Sequence, residues 1–442
     1  MPQLTITNTL TGQKEKFVPL IDSQVKMYVC GITPYDYAHI GHGRVYVTFD
    51  IMYRLLTFLG YQVSYCRNFT DIDDKLLNKA AKEFGDQMRY HEIARRYIDA
   101  YHQDMQSLQC LPPTYEPYVT ETINEIIVIV QNLIDQGHAY TVNGSVYYSV
   151  SSFENYGKLS KQNLDELSAG ARVEIDLEKH SPLDFALWKS EENGTFWQSP
   201  WGWGRPGWHI ECSAMANKFL GAQIDLHAGG QDLTFPHHEN EIAQSEGAHN
   251  SQFAKYWMHN AFVQINKEKM SKSLGNFFTL KDIFKSYDPM ILRYYLACHN
   301  YNTPLEFDIN ELGKLQKSYQ RLALALNEVS TTQVTIEQVK SNPVTHKMLQ
   351  FICDDLNISG LFGVIFENLT QMDLESKQCV KFFLQQIIGL TMLSIEHQLE
   401  ITPQIQDLID QRESARAVKN WALADQIREE LSSLGLIIQD KK

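Results

Sequence analysis

His39-Ile40-Gly41-His42 stands between a short strand-like stretch and a long helical pattern. Residues 26–30 (Lys-Met-Tyr-Val-Cys) predict a buried strand, and residues 42–59 place apolar side chains on one face of a helix. Residues 61–66 alternate as a second strand. The order strand, loop, helix, strand predicts the start of a doubly wound parallel, Rossmann-like α/β sheet, in which ligands bind beyond the carboxyl ends of the strands. We therefore expect Cys30 and the 39–42 loop to border a ligand site.

A second short string, Lys269-Met270-Ser271-Lys272-Ser273, lies much further along the chain. Imidazoles at a helix start and lysines on a loop suit an enzyme that holds a triphosphate and stabilises charge on leaving pyrophosphate. We expect His39, His42, Lys269 and Lys272 to be catalytic. His39, Gly41 and His42 would bind ATP, and Lys272 would make the main pyrophosphate contact. For the first string alone, the alternative is a capped helix start with surface histidines. Together the strings resemble the two signatures of class I aminoacyl-tRNA synthetases.

Composition sets broad limits on the protein. Its 442 residues, 43% hydrophobic and 21% charged, are typical of a globular protein with roughly two to four domains. No apolar run reaches the roughly 18 residues that span a bilayer, and the start has no export pattern. Seven cysteines without paired spacing indicate a reducing environment, so we expect a cytoplasmic protein. A net charge of −14 argues against nonspecific nucleic-acid coating but allows a local basic patch.

Changes in pattern along the chain predict a sheet interrupted by an insertion and followed by helices. We expect an α/β fold with an inserted α+β segment and a C-terminal helical bundle. Residues 1–112 are predicted to form the first half of the catalytic domain, residues 113–200 an inserted connective segment, and residues 201–276 the second half with the lysine loop. Residues 277–320 would form a helical linker contacting the tRNA stem, and residues 321–442 a helical anticodon-binding domain. The roles in tRNA binding are what the resemblance implies.

The second half of the sheet has its own local predictions. Residues 199–207, rich in Gly, Pro and Trp, predict a loop. A helix is predicted from Trp208 and a strand near residues 224–227. Pro236 is expected in the first turn of the following helix, where proline is tolerated.

Four residues have the types and predicted positions of a metal site. Cys30 ends the first strand, and Cys212 lies on the helix that begins near Trp208. His237 and Glu241 are separated by one helical turn and would share a face. Two thiolates, an imidazole and a carboxylate are ligands that zinc accepts. Spacing alone leaves open that the two distant cysteines are core residues.

The sequence around these four residues resembles that of the cysteinyl-tRNA synthetases over nearly the whole chain. The similar segments include residues 28–31, 68–75, 207–213, 235–241 and positions within 412–425. The resemblance implies one Zn²⁺ per chain on Cys30, Cys212, His237 and Glu241, and Mg²⁺ with ATP. Zinc suits the selection of cysteine over serine, because a thiol ionises on the metal far more readily than a hydroxyl. Glu241, the least thiophilic ligand, is expected to lengthen or yield when cysteine binds.

The resemblance also assigns pocket residues and RNA contacts. Gly31, Thr70, Trp208 and Asp232 are expected to bind substrate, although a tryptophan such as Trp208 is more often a core residue. A helical hairpin near the C-terminus would reach the anticodon, with tRNA contacts proposed for Arg412, Arg416 and Trp421. The alternative for these three is an amphipathic hairpin whose tryptophan is buried and whose charges face water.

The function implied is ATP-dependent charging of tRNA(Cys) with cysteine through a cysteinyl-adenylate, by a monomer without a membrane segment. Two alternatives remain open. Zinc-dependent cysteine ligases that act on an amino sugar resemble the catalytic half but generally lack the long helical end. A non-catalytic, synthetase-like RNA-binding protein would commonly lack a signature histidine, a loop lysine or a zinc ligand, and all are present here.

Overall fold

The computed structural model describes residues 2–162, 178–265, 268–269, 278–392, 403–417 and 420–433. The chain divides into two compact units, Met1–Met392 and Leu393–Lys442. Within the described residues, no helix is long and apolar enough to cross a membrane. All seven cysteines are free thiols, as their scattered spacing predicts.

A parallel sheet forms the centre of the first unit, which confirms the predicted fold class. Its strand order is β11-β10-β3-β4, and each neighbouring pair is parallel. The bounds are β3 Gln24–Ile32, β4 Gln62–Phe69, β10 Ile224–Gly230 and β11 Ala254–Asn260. Helices cover such sheets on both faces, so most side chains of the four strands are buried, as the stretch around Cys30 indicates.

The first helix, α1, runs from Ile40 to Leu59 and begins directly at the segment that predicted it. His39 caps its N-terminus, and Gly60 ends it in the left-handed conformation at φ 100°. A non-glycine residue would be strained at that angle. The sheet therefore delivers Cys30, and the helix delivers His39 and His42, to the same edge.

Further helices flank the sheet. Their bounds are α2 Asp74–Phe84, α3 Tyr90–Ser107, α4 Ile123–Asp135, α5 Trp208–Leu220 and α6 Glu239–His249. The helix start at Trp208 is confirmed. Pro236 lies in an irregular turn, Thr234–His238, that leads directly into α6. Phe235 is extended at φ −140° and ψ 134°, as expected before a proline, and helical angles begin at Pro236, which confirms its predicted place in the first turn.

The insertion contains an antiparallel sheet of order β5-β6-β7-β9-β8. Its strands are β5 Ala139–Val142, β6 Ser145–Tyr148, β7 Phe185–Ser190, β8 Trp197–Ser199 and β9 Gly202–Pro206. The prediction of a loop at residues 199–207 is wrong, because β9 pairs with both β7 and β8. Its glycines permit this pairing: a Cβ at Gly204 would lie 2.3 Å from the Lys189 carbonyl oxygen.

Short strands and helices complete the two units. The strands are β1 Thr5–Asn8, β2 Gln13–Lys16, β12 Val263–Ile265, β13 Glu268–Lys269 and β14 Leu305–Glu306. The helices of the first unit are α7 Leu280–Ile283, α8 Pro289–Cys298, α9 Ile309–Leu326, α10 Ile336–Ser341, α11 Pro343–Cys353, α12 Ile358–Asn368 and α13 Leu374–Phe383. The second unit contains the predicted helical hairpin, α14 Pro403–Ala417 and α15 Trp421–Ser433.

Asp104, on α3, gives the fold an expected pH dependence. Its side chain is 7% exposed, its Oδ2 lacks a hydrogen-bond partner, and burial raises the pKa of the carboxyl from 3.8 to about 7, opposed by Lys281. Because the folded state holds this proton more tightly, stability falls as pH rises from about 4 to 7 and then levels off. Asp104→Asn is therefore expected to be more stable than the parent by about 3 kcal/mol at pH 8 and by almost nothing near pH 4. Urea unfolding at both pH values tests this; an equal difference at both would contradict it.

Candidate functional site

A cavity of about 550 Å³ opens at the carboxyl edge of the parallel sheet. Its volume falls within the range of small-molecule sites, roughly 300–1,000 Å³. The lining brings together most of the described residues that the sequence nominates: Cys30, Gly31, His39, Gly41, His42, Thr70, Trp208, Cys212, Asp232 and His237. Strand ends and helix starts that are far apart in sequence therefore meet around one ligand-sized space.

The four predicted metal ligands form a buried cluster at this cavity. The ligand atoms of Cys30, Cys212, His237 and Glu241 all lie within 4.8 Å of one another. The two sulfurs are 4.0 Å apart, and Cys30 Sγ is 3.5 Å from Glu241 Oε1. His237 Nε2 lies 3.1 Å from the same oxygen. His237 comes from the irregular turn and Glu241 from α6, so the two converge although they do not share one regular helix.

These separations fit a tetrahedral metal ion. Zinc bonds of about 2.3 Å to sulfur and about 2.0–2.2 Å to nitrogen and oxygen give edges of about 3.8 Å (S···S), 3.6 Å (S···O) and 3.4 Å (N···O). The observed edges of 4.0, 3.5 and 3.1 Å are each within a few tenths of an ångström of these values. The donor set and its geometry therefore suit one small divalent cation.

Histidines that the sequence analysis did not single out surround the cluster. His227 Nε2 lies 2.9 Å from Glu241 Oε2, and His209 Nδ1 lies 2.9 Å from His237 Nδ1. Such outer contacts orient metal ligands. His238 Nε2 is 3.3 Å from Cys30 Sγ, so that Cys30, His227, His238 and Glu241 form a second possible donor set. We favour the first set, Cys30, Cys212, His237 and Glu241, because His227 and His209 can then hydrogen-bond to its ligands Glu241 and His237.

The electrostatics prepare the cluster for a cation. The hydrogen bond from the Cys30 thiol, together with His237, lowers the pKa of Cys212 to about 6 despite burial. Burial raises the pKa of Cys30 well above its usual range. Burial acts against the charged form of Glu241, but His227 and His237 lower the pKa of that carboxyl to about 2. Two of the four ligands are thus anionic at neutral pH, and binding a metal would displace the proton of Cys30.

His39 and His42 both stabilise the start of helix α1 and line the cavity. The Nδ1 of His39 accepts from the backbone amides of Gly41 and His42 at 3.1 and 3.4 Å. The Nδ1 of His42 accepts from the His39 amide at 3.3 Å, and the rings stack with centroids 3.7 Å apart. Because both Nδ1 atoms accept, the neutral rings carry their protons on Nε2. The helix cap thus fixes the tautomer that can donate to a phosphate, in rings that line the cavity.

The predicted substrate residues form the wall beside the metal cluster. Trp208 is 41% exposed, and its ring stacks on His237 at 4.4 Å. Thr70 is buried and donates to Glu211 Oε2 at 3.2 Å. Burial and the neighbouring Cys212 raise the pKa of Glu211 well above its usual range. Trp208 is thus a pocket wall rather than a core residue.

Gly31 allows a backbone contact that no other residue would permit at this position. A Cβ at Gly31 would lie 1.5 Å from the Asn68 carbonyl oxygen. The Gly31 amide donates to Asn68 Oδ1 at 2.9 Å, and Cys212 Sγ lies 3.8 Å from that oxygen. Sequence reasoning missed Asn68 as a site residue, although it lies in the segment 68–75 that carried the resemblance. Asp232 lines the cavity as well.

For the remaining predicted residues the structure gives local information only. The backbone of Lys269 belongs to β13, whereas Lys272 and the rest of the lysine loop lie outside the described residues. In the second unit, Arg412 is 5% exposed and Trp421 is 56% exposed. Arg416 is half-buried. Burial favours a packing role for Arg412, and exposure makes Trp421 available to a partner.

Two family models and several sequence relatives that match this chain indicate one family. Residues 16–317 match the family described as the class I (C) tRNA synthetase catalytic domain, and residues 399–442 match the cysteinyl-tRNA ligase anticodon binding domain. The cysteine–tRNA ligase of Anoxybacillus flavithermus is 45% identical over 99% of this chain and 97% of its own length. That of Trichlorobacter lovleyi is 42% identical over 99% and 98%.

A solved structure supports the fold independently. Mycobacterium tuberculosis methionyl-tRNA synthetase, in complex with methionyl-adenylate, aligns with a TM-score of 0.57 at 13% identity, covering 83% of this chain and 92% of that one. Identity that low shows a shared fold alone. The full-length matches to cysteine–tRNA ligases go further, since they extend over both units. The chain belongs to the cysteine–tRNA ligase family of class I aminoacyl-tRNA synthetases.

Proposed function

We propose that this chain attaches cysteine to tRNA(Cys) in two steps. The cysteine carboxylate attacks the α-phosphorus of ATP, giving cysteinyl-adenylate and pyrophosphate. A hydroxyl of the terminal adenosine then attacks the acyl carbon and releases AMP. The main support is that residues of the thiol-containing metal cluster and the paired histidines at the α1 N-terminus line one cavity. One end of that cavity suits a sulfur and the other suits phosphates.

The proposed role of each residue follows from its position in the cavity. Cys30, Cys212, His237 and Glu241 would hold one zinc ion. When bound, zinc would take up the substrate sulfur as a thiolate and so favour cysteine over serine, whose hydroxyl ionises far less readily. Trp208 closes the side of the pocket at His237.

The chain's remaining groups orient the other parts of the substrates. His39 and His42 donate from Nε2 to the ATP phosphates, and the helix N-terminus adds a favourable dipole. Asp232 holds the substrate ammonium or a ribose hydroxyl, and Lys269 and Lys272 stabilise the leaving pyrophosphate with Mg²⁺ on ATP. No covalent nucleophile is needed, because positioning and charge stabilisation account for both steps.

The division of the chain into functional parts is proposed on the same basis. The antiparallel sheet supports the inserted segment predicted at 113–200, and its last strand continues beyond that bound to Pro206. The 277–320 segment would contact the tRNA stem, and the 321–442 helices would serve anticodon binding. Exposed Trp421 and half-buried Arg416 remain proposed tRNA contacts.

Cysteine-dependent exchange of pyrophosphate into ATP is the direct test. We expect exchange with cysteine at a kcat/KM at least about 10³-fold above that with serine, because the cluster discriminates by metal–sulfur bonding and not by shape. Charging of tRNA(Cys) should follow on adding transcript. Exchange without charging of any tRNA would favour the ligase alternative, and folded, metal-replete protein without exchange would overturn the proposal.

A further inference from the structure

A cluster of lysines and tyrosines borders the cavity at the loop that leads into α1. Tyr35 and Tyr37 of this loop line the cavity. Lys75 Nζ, from α2, lies 5.1 Å from the centre of the Tyr35 ring. Lys281 Nζ, from α7, lies 4.6 Å from the centre of the Tyr37 ring and 3.4 Å from its hydroxyl. We call Lys75, Lys281, Tyr35 and Tyr37 the lysine–tyrosine rim.

A third lysine fixes this rim in place. Lys79 donates to the Tyr35 carbonyl oxygen at 2.8 Å and to the Tyr97 hydroxyl at 2.7 Å. The Tyr97 ring in turn meets the Tyr37 ring edge-on, with centroids 5.2 Å apart. The loop is therefore braced from α2 and α3, and the ammonium groups of Lys75 and Lys281 are held over aromatic faces, which limits the entropy lost when they bind a ligand.

Neither rim lysine forms an ion pair within the described part of the chain, and both are exposed. Asp282, the residue after Lys281, interacts with it electrostatically but is paired with Lys285. By contrast, Lys189 lies 2.9 Å from Asp74, and Lys285 lies 2.7 Å from Asp282.

The other acidic residues near the rim lysines either accept hydrogen bonds from backbone amides or are only partly ionised. Asp73 caps α2 through the Lys75 amide, and Asp36 accepts from the Tyr37 amide. Asp104 interacts electrostatically with Lys281, but burial raises the pKa of that carboxyl to about 7, so it neutralises the lysine only in part at neutral pH.

These charges stand out in a strongly acidic protein. The chain has a net charge of −14, which repels polyanions at a distance. Lys75 is the one lysine or arginine among the described residues that line the cavity, and Lys281 lies outside the lining at the other end of the same loop. Two anchored cations, one in the cavity lining and one beside it at Tyr37, match a chain of phosphates that enters the cavity.

We propose that the lysine–tyrosine rim binds the unpaired 3′ end of tRNA, with Lys75 and Lys281 contacting successive backbone phosphates. The inference rests on the proposed aminoacylation, because that reaction requires an RNA end to enter the cavity. Proteins that bind single strands combine cations along the backbone with aromatic side chains in this way. Each lysine adds a salt-sensitive contact that does not depend on base sequence.

Charging kinetics and filter binding test the proposal with tRNA(Cys) transcript, both intact and lacking its single-stranded 3′ terminus. In Lys75→Gln and Lys281→Gln we expect the KM for tRNA to rise about 5- to 10-fold. In the double variant the preference for intact over truncated transcript should disappear. The slope of log affinity against log salt should fall by about 0.7 per lysine. Lys285→Gln is the matched control, since this lysine follows the same short helix but is paired with Asp282.

The exchange reaction, which needs no tRNA, separates the possible outcomes. A rise in the KM for ATP equal to that for tRNA would assign the lysines to the nucleotide and overturn the proposal. Equal weakening of intact and truncated transcript, or an unchanged KM for tRNA in both variants, would also overturn it. Absence of cysteine-dependent exchange in the parent protein would instead count against the proposed function.

Discussion

Cys212→Ser is expected to abolish cysteine activation while leaving the chain folded. Cys212 is 3% exposed, its sulfur is 4.0 Å from that of Cys30, and its pKa is lowered to about 6. Serine keeps the volume but replaces a ready thiolate by a hydroxyl that does not ionise near neutral pH. We expect bound zinc to fall from one per chain to below about 0.2 and cysteine-dependent exchange to fall at least about 10³-fold, a loss of roughly 4 kcal/mol in transition-state stabilisation.

Metal content by mass spectrometry and the absorption of the cobalt-substituted protein measure this effect without relying on activity. The cobalt–thiolate absorption should weaken in the variant, and in the parent it should change when cysteine is added if Glu241 yields. Cys353→Ser is the control, since this buried thiol on α11 is not part of the cluster. Full zinc and full exchange in Cys212→Ser would refute the assignment of this ligand.

Arg293→Met is expected to cause the largest loss of stability. Arg293 is fully buried on α8, and its guanidinium donates to the Leu108 carbonyl at 2.6 Å, to the Ile388 carbonyl at 2.7 Å and to the Asp50 carboxylate. Methionine fills part of the space but removes the donor to both carbonyls, and it leaves Asp50 with Arg54 at 2.8 Å and the Leu111 amide at 2.7 Å. We expect the free energy of unfolding to fall by about 3–5 kcal/mol in urea titrations followed by tryptophan fluorescence.

Two companion variants test the cause of that loss. Arg89→Met removes an exposed pair with Glu92 and should leave the free energy of unfolding nearly unchanged, because water screens such pairs. Adding Asp50→Asn to Arg293→Met should recover part of the loss, because it removes the charge of a buried carboxylate that has lost one of its two arginine partners. A cost for Arg293→Met as small as that of Arg89→Met would show that the buried network contributes little net stability.

The fold was predictable where periodicity and burial agree. Strands β3 and β4, helix α1 and the helix start at Trp208 follow from apolar spacing, and each is confirmed. The one error has a local cause. Residues 199–207 resemble a loop because of their glycines, which in fact permit close strand pairing. The helix predicted to open at Pro236 has helical angles from that residue, because Phe235 before the proline is extended.

The sequence by itself determined the family, the reaction class and four metal-ligand candidates, since those rest on residue types in recognisable order. Only the tertiary structure decided that Cys30, Cys212, His237 and Glu241 meet within 4.8 Å, because strands β3 and β10 become neighbours through a crossover that no local pattern encodes. It also decided the supporting roles of His209, His227 and Asn68, and the position of Lys75 and Lys281 at one loop. Such contacts depend on the packing of distant segments, and packing is set by the whole chain.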